Sequence, residues 1–365
     1  MLVASLSADN FRSLKNVEMP VAGRVTAIIG PNGAGKTNLI EALYFGLTGK
    51  SFRTADRRDL IPFGDSYARV KVKVDSEPGI SHEFFSSTSR SDGARFAMDG
   101  APIDRVAAAG FRPMISVFSP DRLEIVKGPP ATRRAHLDAF IAARWPSRSG
   151  ARTKFGRALA QRNALLTRIQ KGMSSTSELA PWDQQVAESG AELGQTRAQA
   201  VEELAEPFRS SSAEIGLEGE VGLEYRAGAV LDAAGLEAGL AERLDNDVRH
   251  GRTTWGPHHD EIRIDFNGRQ LRRFGSQGQQ RLGLLALFFA ERQALIDGGA
   301  PIPMMLLDDV MSELDAGRRE RLVARLAEGG QTLITAAESD LVPDTHGIEA
   351  VLMEDLLAGA GGEGQ

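Results

Sequence analysis

The feature that most constrains this chain is a glycine-rich segment near its start. The segment fits the pattern G-x4-G-K-[ST], whose glycines let backbone N–H groups close around the α- and β-phosphates of a nucleotide while the lysine reaches the β/γ oxygens. Residues 25–29 before it predict a buried strand and residues 36–47 after it predict a helix, so the phosphates would lie at a helix N-terminus. The predicted nucleotide-binding residues are Gly30, Pro31, Asn32, Gly33, Ala34, Gly35, Lys36, Thr37 and Asn38.

A second motif, near the other end of the sequence, supplies the carboxylates that the first motif lacks. The apolar residues 304–307 run into Asp308 and predict a central strand of a parallel sheet, with the carboxylate at its C-terminal edge, where ligands bind in open α/β folds. We expect Asp308 to hold Mg²⁺ together with the Thr37 hydroxyl, and Asp309 to orient or deprotonate an attacking water. The two halves of one nucleotide site would then flank a large insertion.

A third motif precedes the apolar helix predicted over residues 282–290. It offers a hydroxyl, a close backbone approach at a glycine and another helix N-terminus, which together favour anion binding. Since the first loop already holds one face of a nucleotide, this motif is predicted to contact the γ-phosphate of a nucleotide on a second copy of the chain; Ser276 acting simply as a helix N-cap is the alternative. The residues of this signature are Ser276, Gln277, Gly278 and Gln279.

The order of loop, signature, Asp308-Asp309 and a following segment with Ser312 and Asp315 resembles that of ABC-type ATPases that act on DNA. Within that class the chain is similar to the RecF family. Family-like strings occur at residues 10–13, 51–54, 119–121, 128–130 and 256–260. The resemblance implies an α/β fold: an ABC-type P-loop ATPase head, with a mixed sheet flanked by helices and an inserted, mainly helical second lobe.

The resemblance also implies a function. It predicts a protein that binds ATP and Mg²⁺, dimerises on ATP, and clamps duplex DNA near single-strand gaps. RecR, with RecO, would be its partners in loading RecA during recombinational repair. Ser312 and Asp315 would form the D-loop between the two copies, and hydrolysis by Asp309 would release the dimer.

Three departures from the wider class predict slow hydrolysis. The stretch from 110 to 130 has no glutamine where such ATPases usually contact the metal, and residues 333–337 have no histidine where they sense the γ-phosphate. The acid after Asp308 is Asp309 rather than the usual glutamate, one methylene shorter. These differences favour a switch or timer over a motor.

Length and composition predict the organisation of the chain. Its 365 residues suggest an ATPase lobe in two parts, 1–120 and 251–350, around an inserted helical lobe at 121–250, with 351–365 as a flexible tail. The insertion is predicted to contain helices of ordinary length over residues 131–143, 154–171 and 182–208. Hairpin turns are predicted at Asp99-Gly100 and Asn267-Gly268. With no cysteine, disulfides and Cys-based zinc sites are excluded. No apolar run is long enough for a membrane span, so we expect a cytoplasmic protein that does not contact membranes.

The net charge of −6 conceals a polarity within the insertion. Residues 121–180 carry 12 Lys or Arg against 4 Asp or Glu, whereas residues 181–247 carry 4 against 15. The basic segment suits a phosphate backbone. Pairing of the basic helix with the acidic one in a hairpin is equally open. The predicted DNA contacts are Arg152, Lys154, Arg157 and Arg162.

Two other functions are weighed against this one. The ATPase subunit of a membrane transporter would keep the loop and the magnesium strand closer together in sequence. An SMC-like chromosome-structuring ATPase would carry a long coiled coil, for which the insertion is too short.

The cluster of His258, His259, Asp260 and Glu261 looks like a metal site, but neighbouring side chains on an extended segment point to opposite faces, so a polar contact is expected instead.

Overall fold

The computed structural model describes residues 1–21, 23–106, 113–344 and 347–359. The chain forms two compact units. Unit 1 contains Met1–Arg122, Glu214–Gly216 and Gly299–Gln365, and unit 2 contains Leu123–Ala213 and Leu217–Gly298. Unit 2 is therefore an insertion in the sequence of unit 1. Among the described residues, no helix is both long and apolar enough to cross a membrane.

The strands and helices are numbered along the chain. The strands are β1 (Leu2–Phe11), β2 (Leu14–Pro20), β3 (Val25–Ile29), β4 (Tyr67–Glu77), β5 (Ile80–Ser89), β6 (Gly93–Met98), β7 (Ala101–Ile103), β8 (Ile115–Phe118), β9 (Val221–Arg226), β10 (Glu261–Phe266), β11 (Arg269–Gln270), β12 (Met304–Leu307), β13 (Thr332–Ala336) and β14 (Glu349–Leu352). The helices are α1 (Lys36–Thr48), α2 (Glu124–Lys127), α3 (Pro130–Arg144), α4 (Ala151–Gln170), α5 (Ala180–Glu214), α6 (Ala233–Glu242), α7 (Leu244–His250), α8 (Leu271–Phe274), α9 (Gln277–Asp297), α10 (Ala316–Ala327) and α11 (Met353–Gly359).

A parallel sheet with the order β14-β3-β13-β12-β8 forms the centre of unit 1. Every residue of β3, β12 and β13 is buried, as expected for parallel strands covered on both faces. Because the strands are parallel, their carboxyl ends meet at one edge of the sheet. The predicted nucleotide-binding loop follows β3 and the predicted acidic pair follows β12, so the sheet brings them to the same edge.

A second, antiparallel sheet in unit 1 has the order β2-β1-β4-β5-β6-β7. The predicted α/β class is confirmed, but parallel and antiparallel strands form two sheets rather than one mixed sheet. The hairpin predicted at Asp99 and Gly100 joins β6 to β7, and both residues have positive φ, 50° and 79°, as its tight turn requires. Helix α1 packs closely on β4: a Cβ added at Gly46 would lie 2.5 Å from Val72 Cγ2.

Unit 2 consists mostly of helices, with a small sheet of order β11-β10-β9. The predicted turn at Asn267 and Gly268 connects β10 to β11. Helix α5 spans 35 residues and continues through Pro207, so the expectation that every inserted helix has ordinary length is wrong for this one. Its buried residues recur along its whole length, and this packing offsets the backbone hydrogen bond that the proline removes.

The second predicted boundary differs from the structure. Residues 251–298 were expected in the ATPase lobe, but they group with unit 2. The reason is strand pairing and helix packing: β10 pairs with β9, and α9 contacts α2, α3 and α8. The signature motif at the start of α9 therefore belongs to unit 2, and the chain returns to unit 1 at Gly299.

The predicted flexible tail is ordered up to the last described residue. Strand β14 pairs with β3, and α11 follows it directly. Met353 is buried in the core of unit 1, and a Cβ added at Gly30 would lie 2.9 Å from the Met353 Cβ. The tail prediction was therefore wrong for residues 351–359, and residues 360–365 lie outside the described residues.

Candidate nucleotide site

The glycine-rich loop has the backbone shape that its sequence predicts. Gly33 and Gly35 have φ values of 85° and 101°, a region that L residues with a side chain rarely adopt. Gly35 is the N-cap of α1 and has no side chain to satisfy the first N–H groups, and the first turn contains no acidic residue. These N–H groups and the positive end of the 13-residue helix are therefore available to phosphate oxygens.

The Lys36 side chain lies along the loop. Its Nζ donates hydrogen bonds to the carbonyl oxygens of Gly30 (2.6 Å) and Pro31 (3.0 Å). An ammonium has three donors, so one more can reach a phosphate oxygen. Burial lowers the pKa of Lys36, while the charges of Asp309 and Asp308 act in the opposite direction and favour the ammonium form.

Thr37 and Asp308 meet across 271 residues of sequence. Thr37 Oγ1 lies 3.0 Å from Asp308 Oδ1 and 2.9 Å from Asp308 Oδ2. Two neighbouring oxygen ligands of an octahedral Mg²⁺ lie about 2.9 Å apart, so this pair fits the ion. Burial raises the pKa of Asp308, and hydrogen bonds from Thr335 and Thr37 oppose that shift by stabilising the carboxylate.

Asp309 has an unusual backbone conformation. Its φ of 51° is left-handed, which is uncommon for a residue other than glycine. Its N–H donates to Thr335 Oγ1 at 2.8 Å, and its side chain is half-buried beside the site. Strained backbone of this kind is concentrated at functional sites. The position agrees with the predicted role of Asp309 as the group that orients water.

A buried carboxylate that the sequence did not single out organises the surroundings of the loop. Glu41, on α1, is fully buried and accepts hydrogen bonds from Arg12 Nε and Nη2 (3.0 and 2.9 Å), Arg53 Nη1 (3.1 Å) and Ser51 Oγ (2.5 Å). Arg53 also donates to Asn38 Oδ1 at 3.0 Å. The family-like strings at 10–13 and 51–54 thus converge on one acid of the P-loop helix and brace it.

Ser119 is a second residue that sequence reasoning left without a role. Ser119 directly follows β8. Strand β8 pairs with β12 so that Phe118 lies opposite Leu307, and the next residues, Ser119 and Asp308, are therefore at the same level. The Ser119 hydroxyl is buried and has no hydrogen-bond partner among the described residues. Only the strand order places this hydroxyl residue next to the acidic pair, because β8 and β12 are far apart in sequence.

The D-loop residues lie directly after the acidic pair in unit 1. Ser312 Oγ donates to the Asp309 carbonyl oxygen at 3.3 Å. Asp315 caps α10, accepting from the Arg318 N–H at 2.9 Å. Their predicted contact with a second copy stays a prediction.

The signature motif, in unit 2, begins a long helix. Ser276 is the N-cap of α9 and forms a capping box with Gln279: Gln279 N–H donates to Ser276 Oγ (3.2 Å), and Ser276 N–H donates to Gln279 Oε1 (2.8 Å). Ser276 and Gln277 are exposed, and apart from its chain neighbours and its own helix backbone no atom of the described residues lies within 4 Å of a Cβ added at Gly278. Capping and an open approach for an anion are therefore both present.

The predicted basic DNA contacts have different environments. Arg162 is fully buried and bonds Asp183 (2.6 Å) and Asp247 (2.7 Å), so its prediction as a phosphate contact was wrong. A guanidinium enclosed by its own unit cannot reach a DNA backbone. The other three are exposed: Lys154 pairs with Glu192 at 3.1 Å, Arg152 lies 3.6 Å from Asp138, and Arg157 has no ion pair within the described residues.

The hairpin of opposite charges is also present. Besides the Lys154 pair, Arg144 Nε donates to Glu203 Oε1 at 2.6 Å and Arg148 Nη1 donates to Gln199 Oε1 at 2.7 Å. The segment before and along α4 therefore pairs with α5. The exposed Lys154–Glu192 pair contributes little to stability, about 0–1 kcal/mol, so Lys154 can exchange partners at low cost.

The His258–Glu261 cluster forms a polar contact, as expected. Asp260 accepts from Arg197 Nη1 (2.9 Å), Tyr225 Oη (2.6 Å) and Gly228 N–H (2.8 Å). Burial lowers the pKa of His258 to about 4, so this ring is neutral at pH 7. Within the described part of the chain, no group of three or more His, Cys, Asp or Glu side chains could hold a metal ion.

A P-loop that meets an acidic strand end on a parallel sheet, with a signature helix in an inserted unit, defines the class of ABC-type P-loop ATPase heads. The family model described as "RecF/RecN/SMC N terminal domain" matches residues 2–356. The chain is 36% identical to the DNA replication and repair protein RecF of Anaeromyxobacter sp. (strain Fw109-5), over 98% of this chain and 100% of the relative. It belongs to the RecF family of DNA replication and repair proteins.

Other comparisons agree with this assignment. RecF of Streptomyces avermitilis is 35% identical, covering 94% of this chain and 95% of the relative. A solved structure of the recombination mediator protein RecF with ATP, from the RecFOR pathway, matches with a TM-score of 0.80 at 28% identity, over 94% of this chain and 93% of that one. The Smc head domain of Pyrococcus furiosus shares the fold, with a TM-score of 0.56 at 19% identity, over 93% of this chain and 90% of that one.

Proposed function

We propose that this chain is an ATP-dependent DNA-binding protein of recombinational repair. ATP and Mg²⁺ bind at the P-loop and drive head-to-head dimerisation on duplex DNA near single-strand gaps. The dimer helps RecO and RecR to load RecA, and slow ATP hydrolysis releases it. The observation that carries this proposal is the contact of Thr37 with Asp308 beside the loop that holds Lys36, since these are groups that would bind the phosphates of a nucleoside triphosphate and its metal.

The residues of the nucleotide site have different roles in the proposed ATP hydrolysis. Loop N–H groups and Lys36 bind and orient the phosphates, and Thr37 with Asp308 would hold Mg²⁺, which supplies charge neutralisation on the β- and γ-oxygens. Asp309 orients a water and accepts its proton as the water oxygen bonds to the γ-phosphorus and the bond to the β,γ-bridging oxygen breaks. The short Asp309 side chain is the reason that we expect this step to be slow.

The direct test of the proposed function is the oligomeric state of the full chain. Light scattering after gel filtration should show a monomer without nucleotide, a dimer with ATP and Mg²⁺, and a dimer bound to a duplex when DNA is added. A protein that binds ATP but stays monomeric with and without duplex DNA would contradict the proposed dimer.

The signature helix gives the first specific prediction. Ser276→Arg is expected to leave ATP binding by the monomer intact but to abolish ATP-dependent dimerisation and hydrolysis, because a bulky cation would occupy the position of the second copy's γ-phosphate. Equilibrium ATP binding and light scattering measure the two effects separately. Ser276→Thr is the matched control, since it keeps the hydroxyl that caps α9. Loss of ATP affinity in the monomer would place Ser276 in the wrong role.

The second specific prediction concerns the exposed cations of α4. Replacing Arg152, Lys154 and Arg157 together by alanine is expected to weaken binding to duplexes of any sequence. The slope of log affinity against log salt concentration should flatten by about one unit for each phosphate that the protein no longer neutralises. Arg226→Ala is the matched control, because Arg226 is a half-exposed arginine of the same unit paired with Glu224.

An unchanged salt slope in the triple variant, together with a lower melting temperature, would show that these side chains serve only the α4–α5 pairing. The DNA surface would then have to be sought in unit 1. Arg58, an exposed arginine of unit 1 that pairs with Asp56, is the next candidate there.

A further inference from the structure

The hydroxyl of Thr335 lies between the two acids of the nucleotide site. Thr335 Oγ1 donates to Asp308 Oδ1 at 2.9 Å and accepts from the Asp309 N–H at 2.8 Å. The residue is fully buried. Strand β13 runs parallel to β12 with Ile334 opposite Leu307, so this register brings Thr335 to the level of Asp308.

The Thr335 hydroxyl accepts one hydrogen bond and donates the other. A hydroxyl has one proton and two lone pairs, and the Asp309 N–H can only donate. The Thr335 oxygen must therefore accept from Asp309, which leaves its single proton for the Asp308 carboxylate. This bond helps to fix the orientation of the Asp308 carboxyl group, which also contacts Thr37.

The same bond holds Asp309 in its uncommon backbone conformation. Aspartate tolerates a φ of 51° better than most L residues, but this backbone is still less favourable than the ordinary regions, so a contact made in it helps to hold it. The Asp309 N–H has its acceptor on Thr335 in this conformation. Rotation to an ordinary φ would turn the N–H away, leave a buried hydroxyl half-satisfied, and move the Asp309 carboxylate.

We propose that Thr335 is a positioning residue for ATP hydrolysis, acting through Asp309 and Asp308 rather than by touching the nucleotide. The inference rests on the proposed function, because it concerns the rate of that same hydrolysis. Ala336 and Ala337, the next residues, carry no polar side chain. Thr335 thus supplies the polar side chain at the end of this strand.

The test compares three substitutions at this position in the full chain. Thr335→Val keeps the shape but removes both hydrogen bonds, and we expect the kcat for ATP hydrolysis to fall by about 10- to 100-fold, the range typical of residues that orient metal ligands. The Kd for ATP should change little, because Lys36 and the loop remain. Thr335→Ser keeps the hydroxyl and should hydrolyse ATP with a kcat close to that of the wild-type protein. If Thr335→Val does not fold, Thr335→Ala removes the same two bonds.

Two readouts separate positioning from a general structural role. In the Asp309→Asn background, Thr335→Val should lower kcat by a smaller factor than in the wild-type background, because one of the two groups it positions is already lost. The Asp309 amide should exchange with solvent faster in Thr335→Val than in the wild-type protein. A full additional loss in the double variant, or a Thr335→Val protein with wild-type kcat, would overturn the inference.

The proposed function and this inference can fail separately. If the wild-type chain neither binds nor hydrolyses ATP, the proposed function is contradicted whatever Thr335 does. If the wild-type chain hydrolyses ATP and Thr335→Val does so at the same rate, the proposed function stands and Thr335 has no positioning role.

Discussion

Replacing Lys36 by alanine is expected to abolish ATP binding and, with it, ATP-dependent dimerisation. Lys36 is the cation of the loop, and its Nζ is held at the loop carbonyls where the β- and γ-phosphates would lie. Its removal leaves the phosphate charge without its direct counter-ion, next to the carboxylates of Asp308 and Asp309. These acids would then repel the nucleotide.

Equilibrium binding of ATP with Mg²⁺ measures the loss of ATP affinity in Lys36→Ala, and light scattering measures the loss of ATP-dependent dimerisation. Lys15→Ala is the matched control: it removes the same charge from the same unit, but Lys15 is exposed and pairs with Asp65 at 3.1 Å. The control should bind ATP and dimerise like the wild-type chain. A Lys36→Ala protein that still dimerises on ATP would show that the nucleotide site lies elsewhere.

Replacing Arg162 by methionine is expected to destabilise the protein by about 3–5 kcal/mol, the usual cost of removing one partner of a buried ion pair. Methionine keeps most of the stem but leaves Asp247, which is fully buried, without its cation. Asp183 and the Thr253 hydroxyl lose a donor as well. The expected loss is large because several buried acceptors depend on one guanidinium.

Chemical denaturation, monitored by tryptophan fluorescence, measures this loss, since Trp182 and Trp255 both lie in unit 2. Arg157→Met on the same helix is the matched control, because Arg157 is exposed and should change the free energy of unfolding by about 0.5 kcal/mol at most. Equal stability of the two variants would contradict the buried role of Arg162.

Elements that depend on neighbouring residues were predictable from the sequence. The turns at Asp99-Gly100 and Asn267-Gly268 follow from residues that tolerate positive φ. The strand before the P-loop and the helix after it follow from an apolar run and from the end of a glycine-rich segment. The helix bounds in the insertion were close for the same reason, apart from the extension of α5.

Arg162 was predicted to contact DNA but is buried, and the spacing of apolar residues around it in the sequence already indicates that burial. Phe155, Ala158, Arg162, Leu165 and Ile169 recur at three- and four-residue spacing, which places the arginine on the apolar face of α4. A count of charges treats this residue like the exposed Arg157. Helical periodicity separates the two, because the face of a helix is set by spacing rather than by composition.

By itself, the sequence was enough to single out the P-loop, the acidic pair and the signature as candidate phosphate and metal sites, because each depends on a few neighbouring residues whose backbone and charge suit phosphate or metal. The tertiary structure alone decided which distant groups support them. Strand order placed Thr335 against Asp308 and Asp309, and packing on α1 buried Glu41 among Arg12 and Arg53. Strand pairing likewise assigned the signature to unit 2. Such contacts join residues far apart in the chain, so no local pattern records them.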